Sequence, residues 1–158
     1  MKPAVRQLVT GLLLTALSVG TAQLHAQGTP EGPQHLPTIM LGASFHNIKA
    51  EVATTPQQHE IGLMHRTSMG ANDGMLFIFE RAGQQCFWMK NTLIPLSVAF
   101  VADDGNIVNL DEMKPQTLTP HCSTKPVRFV LEMNTGWFSK RGLKAGLKLT
   151  GEPFSAAH

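Results

Sequence analysis

The feature that most constrains the fold of this chain is a series of short strand-like segments separated by turn residues. One turn is especially clear, because Asp103-Asp104-Gly105 lies between two apolar segments and Asp-Gly supplies the positive φ that a tight hairpin needs. The segments are 38–41, 48–53, 74–79, 86–89, 97–102, 106–110, 127–133 and 147–149. They predict a single compact domain with a mainly antiparallel β-sheet that is curled or barrel-like.

Two short helices complete the prediction, which places the domain in the α+β class. Thr55 is a favourable N-cap and Gln58 stands at the third helical position, which is the pattern of a capping box. We expect this helix to continue to Arg66. Asn134 is placed to cap a second helix over the residues TGWFSKRG, which ends at Gly142.

The first residues have the layout of a secretory signal peptide. Lys2 and Arg6 supply a positive start, residues 8–19 form a mostly apolar run of about 12 residues, and Ala26 ends a possible cleavage site. The run is much shorter than the ~20 residues that a membrane-spanning helix requires. We therefore predict cleavage of residues 1–26 and an extracytoplasmic mature protein, periplasmic or secreted, without a membrane span.

The rest of the chain divides into a linker, a domain and a tail. Residues 27–37 are rich in Pro and Gly and predict a flexible linker, residues 38–151 form the β-rich domain, and residues 152–158 predict a frayed tail. Once Lys2 and Arg6 are removed, the 13 basic residues fall to 11 and equal the 11 acidic ones. This balance argues against a nucleic-acid partner, because such proteins carry a basic excess on the binding face.

Cys86 and Cys122 are the two cysteines of the chain. In an exported protein, a pair of cysteines is by default a disulfide. Their separation of 36 positions differs from the C-x-x-C spacing of redox-active pairs, and a zinc site would need further ligands, of which only His121 is adjacent. We predict that the pair forms a structural disulfide and that the protein has no metal site.

Four stretches are more specific than the strand pattern, and together they resemble the domain of unknown function 192 family in order and spacing. They are GLMHR at 62–66, GMLF at 74–77, FWMKNTLIPL at 87–96 and VLEMNTG at 130–136. The resemblance covers essentially the whole mature domain and implies a compact, single-domain, β-rich fold that is often exported. It implies no established reaction. The chain departs from the family at Ser97, where members commonly have Asp.

The irregular polar segment around WMKNT indicates a ligand-binding site at the rim of a pocket. Trp88 offers an aromatic face, Lys90 and Arg66 offer positive charge, and Asn91 and Thr92 offer hydrogen bonds. These residues predict binding of an envelope-derived peptide, glycan or acidic small molecule. The alternative is that Asn91 and Thr92 only bond the backbone of a tight turn, while Lys90 extends from the sheet into solvent.

The sequence also leaves enzymatic and docking functions open. Glu132 and Glu51 could form the carboxylate pair of an envelope-polymer hydrolase, although nothing in the sequence places them together, and we assign no catalytic residue. A strand edge could dock a partner protein instead. Met64, His65 and Met69 form a local cluster of soft metal ligands, but Met more often fills an apolar core. We therefore expect no cofactor.

Overall fold

The structure is a computed structural model that describes residues 32–154. Along these residues it is mostly β, with nine strands, one six-residue helix and one short 3-10 turn. The strands are β1 Thr38–Ala43, β2 His46–Ala53, β3 Asp73–Gly83, β4 Cys86–Phe87, β5 Leu96–Val101, β6 Ile107–Met113, β7 His121–Cys122, β8 Val127–Asn134 and β9 Leu149–Thr150. Helix α1 spans Pro56–Ile61, and the 3-10 turn spans Ser139–Arg141.

Seven of the strands form one curled sheet, in the order β6-β5-β8-β3-β2-β1-β9, and β4 pairs with β7 in a separate ribbon. Neighbouring strands are antiparallel except β2 and β3, which are parallel and are connected through α1. The two edges of the sheet meet at one end, where the Ile107 N–H donates to the Leu147 carbonyl at 2.8 Å and the Leu149 N–H to the Gly105 carbonyl at 2.9 Å. The sheet is therefore a curled half-barrel.

The helical part of the prediction is not confirmed, and the class is mostly β rather than α+β. The capping box is present, since Thr55 Oγ1 accepts from the Gln58 N–H at 3.2 Å and the Gln58 side chain accepts from the Thr55 N–H at 3.1 Å. The helix nevertheless ends before Gly62, whose φ is +48°, instead of continuing to Arg66. A Cβ at this glycine would lie 3.3 Å from the ring of Phe77, so the close approach to β3 and the positive φ together favour Gly.

The second predicted helix is reduced to a single 3-10 turn. This turn ends at Gly142, which adopts a left-handed conformation with φ +67°. Trp137 and Phe138 are buried against the sheet, so the residues before the turn follow the core rather than a regular helix. Tertiary packing thus overrides the weak helix propensity of this short segment.

The sheet is buried on both faces, and successive residues of its central strands enter different cores. A first core and a second core each combine one face of the sheet with the loops that cover it. The first core includes Leu41, Ile48, Leu76, Phe129, Leu131 and Trp137. The second core includes Leu63, Met75, Phe77, Met89, Val98 and Val130. Glu132 of β8 pairs with Met75 on one side and Val98 on the other, so its side chain belongs to the second face.

Residues of both the predicted linker and the predicted tail contact the domain. The Leu36 N–H donates a 2.7 Å hydrogen bond to Glu51, which fixes part of the predicted linker to the sheet. Phe154 is buried, and its ring packs edge-on against Phe129 with centroids 5.1 Å apart. Both contacts depend on long-range packing, which composition alone does not indicate.

The predicted signal peptide, residues 1–26, lies outside the described residues. Within the described part of the chain, no helix combines the length and the apolar character needed to cross a membrane.

Candidate functional site

Three loops meet at one end of the second core, and the first two of them line a cleft. The first two are joined by a 2.9 Å hydrogen bond from the His65 N–H to the Asn91 carbonyl oxygen. This contact closes the gap between the segment that follows α1 and the WMKNT segment. The three loops, which we call the rim loops, are 62–66, 88–93 and 114–118.

Two further backbone hydrogen bonds join the second and third rim loops. The Met89 N–H donates to the Thr117 carbonyl at 2.9 Å, and the Gln116 N–H donates to the Thr92 carbonyl at 3.1 Å. Within the second loop, the Thr92 N–H donates to the Met89 carbonyl at 3.1 Å and closes a four-residue turn. The rim is therefore held by the main chain and does not depend on side chains that could contact a ligand.

Each rim loop contains one non-glycine residue with a positive φ. His65, Asn91 and Gln116 have φ of 64°, 55° and 58°, and the fourth such non-glycine residue of residues 32–154 is Ser44 in the β1–β2 hairpin. Non-glycine residues in this region carry a conformational cost and cluster at ligand clamps and active sites. His65 and Asn91 both line the outer cavity of the cleft, and Gln116 lines a separate cavity beside it, so the two strained residues at the cleft indicate a functional site.

The cleft has an outer and an inner part. The outer cavity, of about 80 Å³, lies between Met64 and His65 on one side and Trp88, Lys90 and Asn91 on the other. An inner cavity of about 30 Å³ continues below it.

A buried glutamate is among the residues that line the inner cavity. Gly62, Leu63 and Phe87 line its walls, and Thr92 and Glu132 also contact it. Both parts of the cleft are lined by residues at α1 and by Trp88, so they lie next to each other.

Glu132 is 4% exposed and forms the floor of this recess. Strand alternation directs it to the second face, where Met75 and Val98 are its apolar cross-strand neighbours. Burial raises the pKa of Glu132 to about 8, and no described residue makes a hydrogen bond that would offset this effect. The carboxyl group is therefore mainly neutral at pH 7 and can both donate and accept a hydrogen bond.

The mouth of the cleft is amphipathic. Trp88 is 48% exposed, and the Lys90 Nζ lies 5.5 Å from the centre of its ring, within the range of a cation–π contact. The Asn91 side chain makes no hydrogen bond to any described residue, whereas the Thr92 hydroxyl donates to the Lys90 carbonyl at 3.3 Å. Lys90 and Asn91 therefore present polar groups that are available to a ligand.

The WMKNT segment is anchored from behind by the β4–β7 ribbon. Cys86 and Cys122 face each other across this ribbon and form the predicted disulfide. Phe87 packs edge-on against Phe77 with ring centroids 4.8 Å apart. These contacts fix the chain immediately before Trp88.

Four of the predicted binding residues lie at the cleft, and Arg66 does not line it. Arg66 forms an ion pair with Glu51 at 2.7 Å and donates a hydrogen bond to the Gln34 carbonyl at 2.6 Å. Its side chain is only 9% exposed. Trp88, Lys90, Asn91 and Thr92 are the residues that the structure brings together.

Glu51 is neutralised by Arg66 rather than paired with Glu132. Burial acts to raise the pKa of Glu51, but hydrogen bonds from Arg66 and the Leu36 N–H, together with the Arg66 charge, outweigh it and hold the pKa below its usual value. Glu51 and Glu132 are both in register with Met75 of β3, which separates them by two strand spacings, or about 10 Å. The two carboxyl groups thus lie in one row but in different environments.

Ser97 belongs to a separate hydrogen-bond network at the end of β5. Its hydroxyl donates to Glu112 Oε1 at 2.6 Å and accepts from the Gly136 N–H at 2.7 Å. Thr135 donates to the other oxygen of Glu112 at 2.8 Å. The network fixes the turn that follows β8 and does not line the cleft. Among residues 32–154, no group of three or more His, Cys, Asp or Glu side chains is arranged to hold a metal ion.

Comparison with known proteins identifies a family and two structural relatives. The family model of DUF192, described as uncharacterized ACR, matches residues 38–151. A protein from Sinorhizobium meliloti 1021, described as a candidate transcription regulator, is 36% identical, with a TM-score of 0.68 over 72% of this chain and 92% of that one. A protein of unknown function from Novosphingobium aromaticivorans DSM 12444 is 32% identical, with a TM-score of 0.71 over 73% of this chain and 86% of that one. No curated protein matches the chain.

Proposed function

Because this chain belongs to the DUF192 family, whose description names no activity, we propose its function from the geometry of the cleft. The protein is a non-enzymatic, extracytoplasmic binding domain that takes one end of an acidic peptide or acidic small molecule from the cell envelope. The observation that carries this proposal is the cleft itself, whose outer cavity is lined by His65 and Asn91, both held in left-handed conformations. A preformed site of this kind binds without a large ordering cost.

The size of the cleft favours a small group over a polymer. A water-sized group needs about 10–15 Å³ of such volume, so the outer cavity of about 80 Å³ has room for about six non-hydrogen atoms. The end of a peptide or a small acid fits this space, whereas an extended glycan would have to lie outside it. Of the ligand classes that the sequence suggested, the acidic ones are therefore favoured.

The charge of the mouth supports an anionic ligand. Lys90 is the lysine that lines the outer cavity, and the adjacent Trp88 ring holds its ammonium group near the entrance. The free amide of Asn91 can donate to the same anion. Glu60 also lines the cavity, which disfavours a ligand with several negative charges.

The compartment is proposed from two features. The Cys86–Cys122 disulfide is compatible with an oxidising location outside the cytoplasm. The predicted signal peptide would deliver the chain to that location. The two features agree, and neither is needed for the cleft to bind.

Ligand binding can be tested by NMR, because the chain has two tryptophans. The Trp88 indole lies at the cleft, whereas the buried Trp137 indole donates to Asn72 at 3.1 Å. The probes are N-acetyl-L-glutamine, N-acetyl-L-glutamate and the dipeptide Ala-Glu, with their methyl esters as neutral controls. We expect at least one acid to shift the Trp88 indole signal in a saturable way and to leave the Trp137 signal unchanged.

Variants at two lysines provide the matched control. Lys90→Met should weaken binding about tenfold, because it removes the charged hydrogen-bond donor and keeps the apolar stem. Lys144→Met, at an exposed position away from the cleft, should leave binding unchanged. If the esters bind as well as the acids, or if no acid shifts the Trp88 signal, the proposed function is wrong.

Hydrolysis of an envelope polymer is a second candidate, because the pKa of Glu132, about 8, suits a general acid near neutral pH. A second carboxylate is needed in most glycosidases. Glu51 is already bound by Arg66, so it does not favour this role. Turnover of an envelope polymer by the protein, abolished in Glu132→Gln, would support the hydrolase, and unchanged turnover in that variant would exclude Glu132 from it.

A further inference from the structure

We infer that the buried end of the ligand is a carboxamide, which pairs with the carboxyl group of Glu132 through two hydrogen bonds. This inference rests on the proposed binding function and names the ligand class for its inner cavity. The observation behind it is a carboxyl group that is 4% exposed, contacts a cavity and has no hydrogen-bond partner among the described residues.

The inner cavity has the size for the two polar atoms of a carboxamide. Its volume of about 30 Å³ is enough for about two water-sized groups. The Thr92 hydroxyl also lines this cavity, but its hydrogen is donated to the Lys90 carbonyl. Leu63, Phe77 and Phe87 supply apolar walls, and Glu132 is the buried carboxyl group among the polar residues that line the cavity, so it can satisfy a polar group that enters.

The charged and titratable groups around Glu132 leave it without a permanent cation. His59 and Glu60 of α1 line the inner cavity with it, and His65 and Lys90 line only the outer one. Its neighbours on the adjoining strands are apolar. Since burial raises the pKa of Glu132 to about 8, the group is a neutral acid at pH 7.

A neutral carboxyl group has one O–H donor and one carbonyl acceptor side by side. A primary carboxamide has the complementary acceptor and donor, so the two groups can form a cyclic pair. A carboxylate would bring a charge into the buried floor without a counter-ion, and an apolar group would leave Glu132 unsatisfied. Carboxamide is therefore the terminal group that satisfies both polar atoms of the Glu132 carboxyl group.

The inner and outer parts of the cleft together indicate a ligand with a different polar group at each end. A carboxamide reaches Glu132, and a carboxylate remains at the mouth with Lys90. N-acetyl-L-glutamine carries both groups and serves as the probe. N-acetyl-L-glutamate, N-acetyl-L-methionine and Nα-acetyl-L-lysine replace its carboxamide with an anionic, an apolar and a cationic group.

The test compares dissociation constants of these four probes at pH 7 and pH 9.5. At pH 7 we expect N-acetyl-L-glutamine to bind about tenfold more tightly than N-acetyl-L-methionine, because two hydrogen bonds are gained. Between pH 7 and pH 9.5 its affinity should fall at least about tenfold as Glu132 ionises.

Two variants separate the role of Glu132 from other effects of pH. Glu132→Gln keeps a donor and an acceptor at every pH, so its affinity should change much less between pH 7 and pH 9.5 than that of the wild type. It also retains Lys90 and the histidines, so any residual change measures their contribution. Glu132→Met should bind N-acetyl-L-glutamine and N-acetyl-L-methionine equally, and the unshifted Trp137 indole signal verifies its fold.

Each contrary outcome overturns the inference in a distinct way. A preference for Nα-acetyl-L-lysine would make the floor a cation site. Equal binding of all four probes would leave the proposed binding function in place and remove Glu132 from recognition. If no acidic probe shifts the Trp88 signal, the proposed function fails together with the inference.

Discussion

The His65 N–H donates a 2.9 Å hydrogen bond to the carbonyl oxygen of Asn91, and both residues have positive φ. The bond uses only main-chain atoms, so it positions two rim loops while the two side chains line the outer cavity. A residue that only formed a turn would lose nothing by becoming glycine, which adopts positive φ without cost. The contribution of the Asn91 side chain can therefore be separated from that of its backbone.

Asn91→Gly should leave the free energy of unfolding unchanged or raise it by up to about 1 kcal/mol, because the strain of a left-handed non-glycine residue is released. At the same time it should weaken binding of an acidic ligand, because the free amide is lost. Urea denaturation and NMR titration measure the two effects. Ser44→Gly is the matched control, since Ser44 has φ +54° in a hairpin that does not line the cleft.

The outcome decides between the two interpretations of the WMKNT segment. If Asn91→Gly binds as the wild type does, Asn91 is a turn residue and the site loses one of its proposed donors. If the variant unfolds more easily than Ser44→Gly by more than about 1 kcal/mol, its side chain supports the fold.

Glu132 should make the folded state less stable as pH rises. Its pKa is raised from 4.5 in the unfolded chain to about 8, so between these values the folded state binds more protons than the unfolded state. The free energy of unfolding therefore falls as pH rises through this window, and at about 1.4 kcal/mol for each pKa unit the full shift corresponds to at most about 5 kcal/mol.

Urea denaturation at pH 5, 6.5 and 8 tests this slope. Glu132→Gln removes the titrating group and retains the histidines, so the difference between wild type and variant isolates the contribution of Glu132. We expect the wild type to lose stability relative to the variant as pH rises. A constant difference across the three pH values would mean that the floor of the cleft is hydrated and that Glu132 ionises normally.

The sequence predicted the local features of the fold better than the site. The hairpin at Asp103-Asp104-Gly105 and the capping box at Thr55 and Gln58 depend on neighbouring residues, and the structure confirms both. The predicted length of α1 was wrong because the helix ends before Gly62. At this glycine the chain packs against Phe77, which belongs to the distant strand β3. A hairpin turn or a capping box can be predicted from neighbouring residues, whereas the contact between Gly62 and Phe77 depends on how the sheet packs.

The role of Glu132 in the cleft was also not predicted from the sequence. From the sequence, Glu132 is suggested only as one of two hydrolytic carboxylates. The signal that could have identified it is the apolar sequence on both sides of it in VRFVLEM, which indicates a strand buried on both faces. The bond between His65 and Asn91 had no sequence signal, because it joins main-chain atoms of two separate loops.

The ion pair between Arg66 and Glu51 should be strongly coupled. Arg66→Met leaves a largely buried carboxylate without its partner and should lower the free energy of unfolding by about 3 kcal/mol at pH 7. In the double variant Arg66→Met/Glu51→Met, about half of that loss should be recovered, because neither charge remains. A double-mutant cycle by urea denaturation gives the coupling energy.

The pair also predicts a pH dependence of opposite sign to that of Glu132. Because the folded pKa of Glu51 is lowered, the contribution of the pair is present above about pH 4.5 and is lost as pH falls through the folded pKa. The effect of Arg66→Met should thus be smaller at pH 3.5 than at pH 7. Simple addition of the two single-variant effects would show that the residues are not coupled.

The Cys86–Cys122 disulfide should stabilise the fold by limiting the unfolded chain. Its loop of 36 positions corresponds to about 3–4 kcal/mol in the loop-entropy relation. Reduction, or the variant Cys86→Ala/Cys122→Ala, should lower the free energy of unfolding by this amount. The test is urea denaturation with and without reductant, and the double alanine variant should be insensitive to the reductant. An equal thiol count in denatured protein before and after reduction would show that no disulfide forms.

Ser97→Asp restores the residue that members of the family commonly have, and it should destabilise this chain. Ser97 donates to Glu112 at 2.6 Å, so an Asp at this position would place two carboxylates together. We expect a loss of about 1–3 kcal/mol at pH 7, since like charges are brought close in a partly buried site. Either carboxylate could accept the Gly136 N–H, which now donates to Ser97.

The compensating variant is Ser97→Asp/Glu112→Gln, in which one carboxylate is replaced by a neutral donor. It should recover most of the lost stability, because the introduced glutamine amide can donate to the introduced aspartate, much as Ser97 now donates to Glu112. Urea denaturation at pH 7 and pH 4 measures the stability lost in Ser97→Asp and its recovery in the double variant. The loss in Ser97→Asp should be smaller at pH 4, because a carboxyl group is protonated there. A loss that persists at pH 4 and in the double variant would indicate a steric conflict in the packed end of β5. Recovery would show that Ser97 and Glu112 together replace a single Asp as the acceptor that fixes the turn after β8.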